Sequence, residues 1–152
     1  FLIRSKIMKN NFEKERMIIT EIIAKVVDAI SEKNYSEIFN FCRMILCQPS
    51  ELGEIIENQL NNFNIDTIDK FNTPCNSRKF KEIGGFIPEW NQLKICLSEY
   101  GDDEAGGDAQ YELSSDGKLM GFLITFTIII KCEEICVVWD GKFNRVIENY
   151  FI

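Results

Sequence analysis

Residues 118–140, KLMGFLITFTIIIKCEEICVVWD, decide the fold, because no other part of the chain is so apolar for so long. From 122 to 130 almost every residue is aromatic or β-branched, types that fit a pleated surface better than a helix. The stretch predicts one long strand near 119–131. Its even positions, Phe122, Ile124, Phe126, Ile128 and Ile130, carry no polar interruption, whereas the odd ones include Thr125, Thr127 and Lys131. Successive side chains alternate across a strand, so the even face is the one expected in the core. Twelve apolar-rich residues between Lys118 and Lys131 fall short of the roughly 20 that a membrane-crossing helix requires. No membrane partner is expected.

On the C-terminal side, Glu133-Glu134 reads as a turn and 135–139 as a returning strand. Asp140-Gly141 then has the form of one more hairpin, into a last strand near 142–147. On the N-terminal side, Asp116-Gly117 makes a hairpin turn preceded by a strand at 109–114, in which Tyr111 and Leu113 share a side. GDDEAGGD at 101–108 reads as a loop, and 93–100 alternates Leu93, Ile95 and Leu97 with Lys94, Cys96 and Ser98, the pattern of a half-covered strand. The prediction is an antiparallel meander of about five strands. A strand as long as 119–131 has to twist, and Gly121 is the expected bend.

The first half of the chain has helical periodicity. Ile19, Ile22, Ile23, Val26, Val27 and Ile30 recur at three- and four-residue steps and predict a helix over 12–31, with Asn10 and Glu13 in capping-box spacing and Asn34 as the left-handed residue behind its end. Ser36 as cap and Ile38, Phe39, Cys42, Ile45 and Leu46 as buried stripe predict a second helix over 36–46, stopped by Pro49. Leu52, Ile55, Ile56, Leu60 and Phe63 predict a third over 50–62. Pro74, Gly84-Gly85 and Pro88 break up 64–90, which holds at most short strands at 64–68 and 80–83. Helices followed by a meander define an α+β class, with the N-terminal helices packed on a strongly bent antiparallel sheet.

The 152 residues suit one domain, large enough to bury a core without staples. Residues 1–10 are read as a tail, since Met8 resembles a translation start, and 11–152 as the domain. FLIRSKIMKN lacks the apolar core of a secretory signal, so the expected location is cytoplasmic. Cys42, Cys47, Cys75, Cys96, Cys132 and Cys136 are read as free, buried packing residues, and titration of the denatured, unreduced protein is expected to find all six thiols. A net charge of −7 argues against nucleic acid, whose phosphates are bound by clustered Lys and Arg, and permits a basic protein partner.

The long helix ending in AISEKNYSEIFNF, with Asn34-Tyr35 at its closing turn, and the strands from 93 to 147 resemble the cystatin-like, nuclear transport factor 2-like cone superfamily. That resemblance implies a curved sheet wrapped around the first helix, and a function drawn from isomerases, dehydratases, polyketide cyclases, ligand carriers or dimerisation modules. The chain has no histidine, which removes the commonest general base and metal ligand. No catalytic residue, metal or cofactor is therefore assigned. Asp28, Trp90, Tyr100, Tyr111 and Trp139 are the candidates for a ligand pocket, although aromatics at such positions are more often core, and Asp28 reads as solvent-facing. Asp102, Asp103, Glu104 and Asp108 could offer oxygen ligands to Ca²⁺ but lack the spacing of an EF-hand loop, and read as a solvated turn. The favoured function is a non-enzymatic binding or assembly protein, homodimeric through the outer face of its sheet. A small-ligand protein or enzyme of the cyclase-isomerase kind is the alternative, and a narrower form of the first is an acidic immunity-type protein that binds a basic toxin.

Overall fold

The computed structural model describes residues 12–45 and 47–146. Helix α1 (Glu13–Ser31) is followed by a single 3-10 turn (Tyr35–Glu37), the four-residue helix α2 (Ile38–Phe41), strand β1 (Arg43–Met44) and helix α3 (Pro49–Asn62). Five strands complete the chain: β2 (Leu93–Gly101), β3 (Glu104–Ser115), β4 (Lys118–Lys131), β5 (Glu134–Trp139) and β6 (Phe143–Arg145). The strand order is β1-β5-β4-β3-β2, with β6 also on β4, in one strongly curled, open sheet that carries the helices on one face. The α+β class holds, and so do the first and third helices and the long strand.

The predicted even face of β4 is the core face: Phe122, Ile124, Phe126, Ile128 and Ile130 are buried together with Ile19, Ile23, Val26, Val27 and Ile30 of α1 and Leu52, Ile56 and Leu60 of α3. Trp139 lies 6.0 Å from Phe126 and 6.1 Å from Phe143, ring centre to ring centre, and its indole N–H donates to the Lys142 carbonyl. Gly121 has φ +78 and sits where the β3–β4 register slips between Glu112 and Ser114, as expected of the bend.

Other expectations fail, each for a tertiary reason. The helix predicted over 36–46 stops at Phe41, because Cys42 is extended and Arg43 and Met44 pair with Val138 and Trp139. This pairing is parallel, so the sheet is mixed and not a pure antiparallel meander; Ile45, assigned to a buried stripe, is exposed and donates its backbone N–H to the Trp139 carbonyl. Pro49, expected to end a helix, begins one: it follows a Gln48 N-cap that is locked reciprocally with Glu51. Lys33 (φ +60), not Asn34 (φ −98), is the left-handed residue after α1. Asn10 lies outside the described residues, as do the tail at 1–10 and the predicted strand end at Ile147.

Asp140-Gly141 does not fold the chain back. Strand β5 covers positions 127–131 of β4 and β6 covers 122–124, both antiparallel to it, so residues 140–142 form a bulge in one interrupted partner strand. Asp140 caps the bulge by accepting from the Lys142 N–H, and the Gln59 side chain of α3 both donates to the Gly141 carbonyl and accepts from the Phe143 N–H. The turn chemistry read from the sequence is present, but its partner strand is β4. Strand β3 likewise begins at Glu104, inside the predicted loop. Gly106 and Gly107 are there for close approach: a Cβ on Gly107 would stand 1.9 Å from the Cys96 carbonyl oxygen, and one on Gly106 would stand 2.6 Å from that of Ile128.

Residues 64–92 contain no strand at 64–68, and only isolated bridges at Phe80 and between Ile83 and Phe86. Polar side chains hold them down. Asp69 accepts from Ser114, Asp116 and Gly117 in the β3–β4 turn, and Asn76 accepts from the Leu119 N–H.

Candidate functional site

The face of the sheet turned away from the helices can be mapped from the strand registers. One row across β2, β3, β4 and β5 is Ser98, Gly106, Ile129 and Cys136; the row beyond it is Glu104, Lys131 and Glu134, and the row before it is Cys96, Asp108, Thr127 and Val138. The Tyr100 ring lies over Gly106, its hydroxyl 3.1 Å from where a Cβ would stand, so Tyr100 and Ile129 are neighbours across that glycine. They are 61% and 44% exposed, an aromatic and a branched aliphatic side chain open to water side by side.

At this end of the sheet the β2–β3 and β4–β5 turns meet, the Cys132 N–H donating to the Asp103 carbonyl. Asp102, Asp103, Glu104, Glu133 and Glu134 therefore gather beside Tyr100 and Ile129, with Lys131 ion-paired to Glu104 at 3.8 Å. The turn lies at Cys132 and Glu133, both with positive φ, one residue earlier than predicted. Asp108 is not part of the group: it lies four residues along β3 from Glu104, about 13 Å at the rise of a strand. No three of the acidic, Cys or His side chains among the described residues are placed to hold a metal ion.

The opposite end of the same face is covered by the segment 76–92. Glu112, on the outer side of β3, is 1% exposed; its carboxylate accepts from the Arg78 Nε at 2.7 Å and from the Trp90 indole N–H at 3.0 Å, while its backbone exchanges hydrogen bonds with Gln92. Between Trp90, Phe80, Lys94, Gln110, Glu112 and Leu123 lies a recess of about 130 Å³, well below the 300–1,000 Å³ of ordinary ligand sites. Midway, the segment turns in a two-residue hairpin, where Ile83 and Phe86 exchange backbone hydrogen bonds across Gly84-Gly85 and Ile83, Phe86 and Ile87 are exposed.

The five candidates from the sequence do not form one pocket. Tyr111 (2% exposed) stacks on Phe71 at 5.2 Å and Trp139 (1%) is core, so neither is open to a ligand. Burial pushes the Tyr111 hydroxyl upward in pKa, with smaller like-signed contributions from Cys75, Asp28 and Asp69. Trp90 lines the small recess and also an open groove of about 490 Å³ between residues 77–80 and 87–91, and Tyr100 belongs to the acidic end. Asp28 is half-buried rather than solvent-facing: its Oδ1 accepts the Phe71 N–H at 2.9 Å and ties α1 to the segment below β3. Asp28→Ala should therefore cost about 1–2 kcal/mol in chemical denaturation through the orphaned N–H, and Asp28→Asn less, because its carbonyl can still accept. Equal stability of Asp28→Ala and wild type would remove this role.

Glu112 was missed in the sequence because nothing local marks it. Its neighbours Tyr111 and Leu113 alternate with it as a half-covered strand should, and the groups that bury it lie 20 and more residues away. The cysteines divide differently from the expectation. Cys42 is buried, Cys47, Cys75 and Cys136 are half-buried, and Cys96 and Cys132 are exposed. Burial, and then the neighbouring Cys136, push the Cys42 thiol from 9.0 up to about 12. Alkylation of the native protein followed by peptide mass mapping should modify Cys96 and Cys132 and spare Cys42. The same shift carries a pH dependence: between 9.0 and about 12 the unfolded chain releases the Cys42 proton and the folded one keeps it, so stability falls as pH rises through that window. A flat denaturation midpoint over it would contradict the burial of this thiol.

No family model, no curated protein and no solved structure matches the chain.

Proposed function

We propose that this chain is a non-enzymatic binding module of the cystatin-like, nuclear transport factor 2-like kind, which engages a basic protein surface through the acidic end of its outer sheet face. The observation that carries this reading is the adjacency of exposed Tyr100 and Ile129 to the carboxylates of two converging turns. Interfaces draw most of their affinity from a few aromatic and aliphatic anchors, while surrounding charge speeds encounter and selects partners of opposite sign. Here the anchors are flanked mainly by carboxylates, with Lys131 paired to Glu104. Glu112, the one buried carboxylate among the described residues, accepts from Arg78 and Trp90, an arrangement that fastens a segment rather than presenting a base to a substrate. An immunity-type role against a basic toxin is the narrow form of this proposal.

Co-expression with basic proteins encoded beside this gene, followed by gel filtration, tests it. A complex should form, weaken steeply with added salt, and be lost in the double variant Tyr100→Ala, Ile129→Asp while the fold is retained. A complex that survives both the substitutions and high salt would overturn this placement, and the failure of every basic neighbour to bind would count against the reading itself.

A further inference from the structure

The segment 76–92 carries a groove of its own, at the end of the sheet away from Tyr100 and Ile129. The groove runs between residues 77–80 and 87–91 and holds about 490 Å³, inside the roughly 300–1,000 Å³ of ordinary ligand sites. Its two arms are joined by the tight turn at Gly84 (φ +60) and Gly85 (φ +91) and tied to one buried carboxylate, since Arg78 on the first arm and Trp90 on the second both donate to Glu112. The groove is therefore held open by the fold before anything enters it. Trp90, Ile87 and Pro88 give it apolar walls, and Ser77, Lys79, Glu89 and Asn91 are set among them.

The lining selects the ligand. Lys79 and Glu89 are opposite in sign and Arg78 is paired with Glu112, so the groove has no net charge to attract an anion or a cation. Ser77, Lys79, Glu89 and Asn91 are exposed and, among the described residues, make no side-chain hydrogen bond or ion pair. An apolar ligand would strip water from all four and return nothing. Ser77 and Asn91 both donate and accept, Lys79 only donates, and ionised Glu89 only accepts; a hydroxyl does both, so a ligand rich in hydroxyls satisfies every one of them. Trp90 adds no donor, because its N–H is given to Glu112 at 3.0 Å. What it offers is ring carbon, whose negative π-face attracts the weakly positive C–H bonds of a ligand. We infer that the groove binds a neutral saccharide, whose C–H face lies against Trp90 while its hydroxyls bond to Lys79, Glu89 and Asn91. A proline-rich peptide, the other occupant of aromatic-lined grooves, has no N–H at its prolines, which leaves Glu89 without a donor while the indole N–H is already used. The site shares no residue with the acidic end, so this inference is independent of the proposed function.

Fluorescence titration with cellotriose, maltotriose and triacetylchitotriose tests it. The chain has two tryptophans and Trp139 is core, so a change in tryptophan emission on binding reports Trp90. At least one of the three sugars should give a saturable change, and added salt should not weaken it, because the ligand carries no charge. Lys79→Ala and Glu89→Ala alter exposed side chains; each should weaken binding by about tenfold, the loss of one hydrogen bond to a charged group, with the melting temperature unchanged. No saturable change with any of the three at millimolar concentrations would overturn the inference. So would equal affinity in both variants and wild type, or a saturable change produced by a decaproline peptide and by none of the sugars.

Discussion

Phe126→Ala should lower stability by about 3–5 kcal/mol, the range for removing a large aromatic from a core that cannot collapse around the gap. Phe126 is fully buried, faces Trp139 at 6.0 Å, and pairs with Ala109 of β3 in the middle of β4. At roughly 2–4 °C per kcal/mol for a domain of this size, the melting temperature should fall by roughly 10 °C. Thr127→Ala, one residue along on the outer face, is the control, and surface substitutions of that kind usually stay within about 0.5 kcal/mol. Losses of similar size at both positions would show that the two faces of β4 are not distinguished by burial, and the fold described would be wrong at its centre.

Arg78→Met should cost about 3 kcal/mol or more, for a different reason. The Glu112 side chain is 2% exposed and that of Arg78 21%, so losing the guanidinium leaves a carboxylate out of water with only the Trp90 N–H against it. Breaking such a pair is far more damaging than its net contribution suggests, because the desolvated charge remains. Adding Glu112→Gln to Arg78→Met should recover a measurable part of the loss, since a neutral amide can still accept from Trp90. Four denaturation curves close this double-mutant cycle. If Arg78→Met alone shifts the midpoint by less than about 0.5 kcal/mol, the segment 76–92 is not held on the sheet by this pair, and the recess beside Trp90 loses its wall.

The expectations that held are those in which burial repeats along the chain. Ile19, Ile23, Val26, Val27 and Ile30 are one helical face, and the five even positions of β4 are one strand face, so each period states which side the core is on without knowing what the core contains. The candidate site was legible only in its parts. The acidic run at 102–104 and the exposed character of a turn could be read, but the contact between that turn and the one at Cys132-Glu133 joins residues about 30 apart in sequence, and Tyr100 reads no differently from the buried Tyr111.

The sequence by itself determined the α+β class, α1, α3, the long strand and its core face, and the absence of histidine chemistry, because periodicity and composition are local quantities. Tertiary structure alone decided that residues 43–44 leave their helix to pair beside β5, and that Asp140-Gly141 bulges along β4 where a hairpin signal was written. It also decided that Asp28 and Glu112 are anchors. The physical reason is common to all of them. A backbone or carboxylate hydrogen bond between distant residues is chosen by whichever unpaired group the rest of the fold brings within about 3 Å, and no spacing along the chain records that choice.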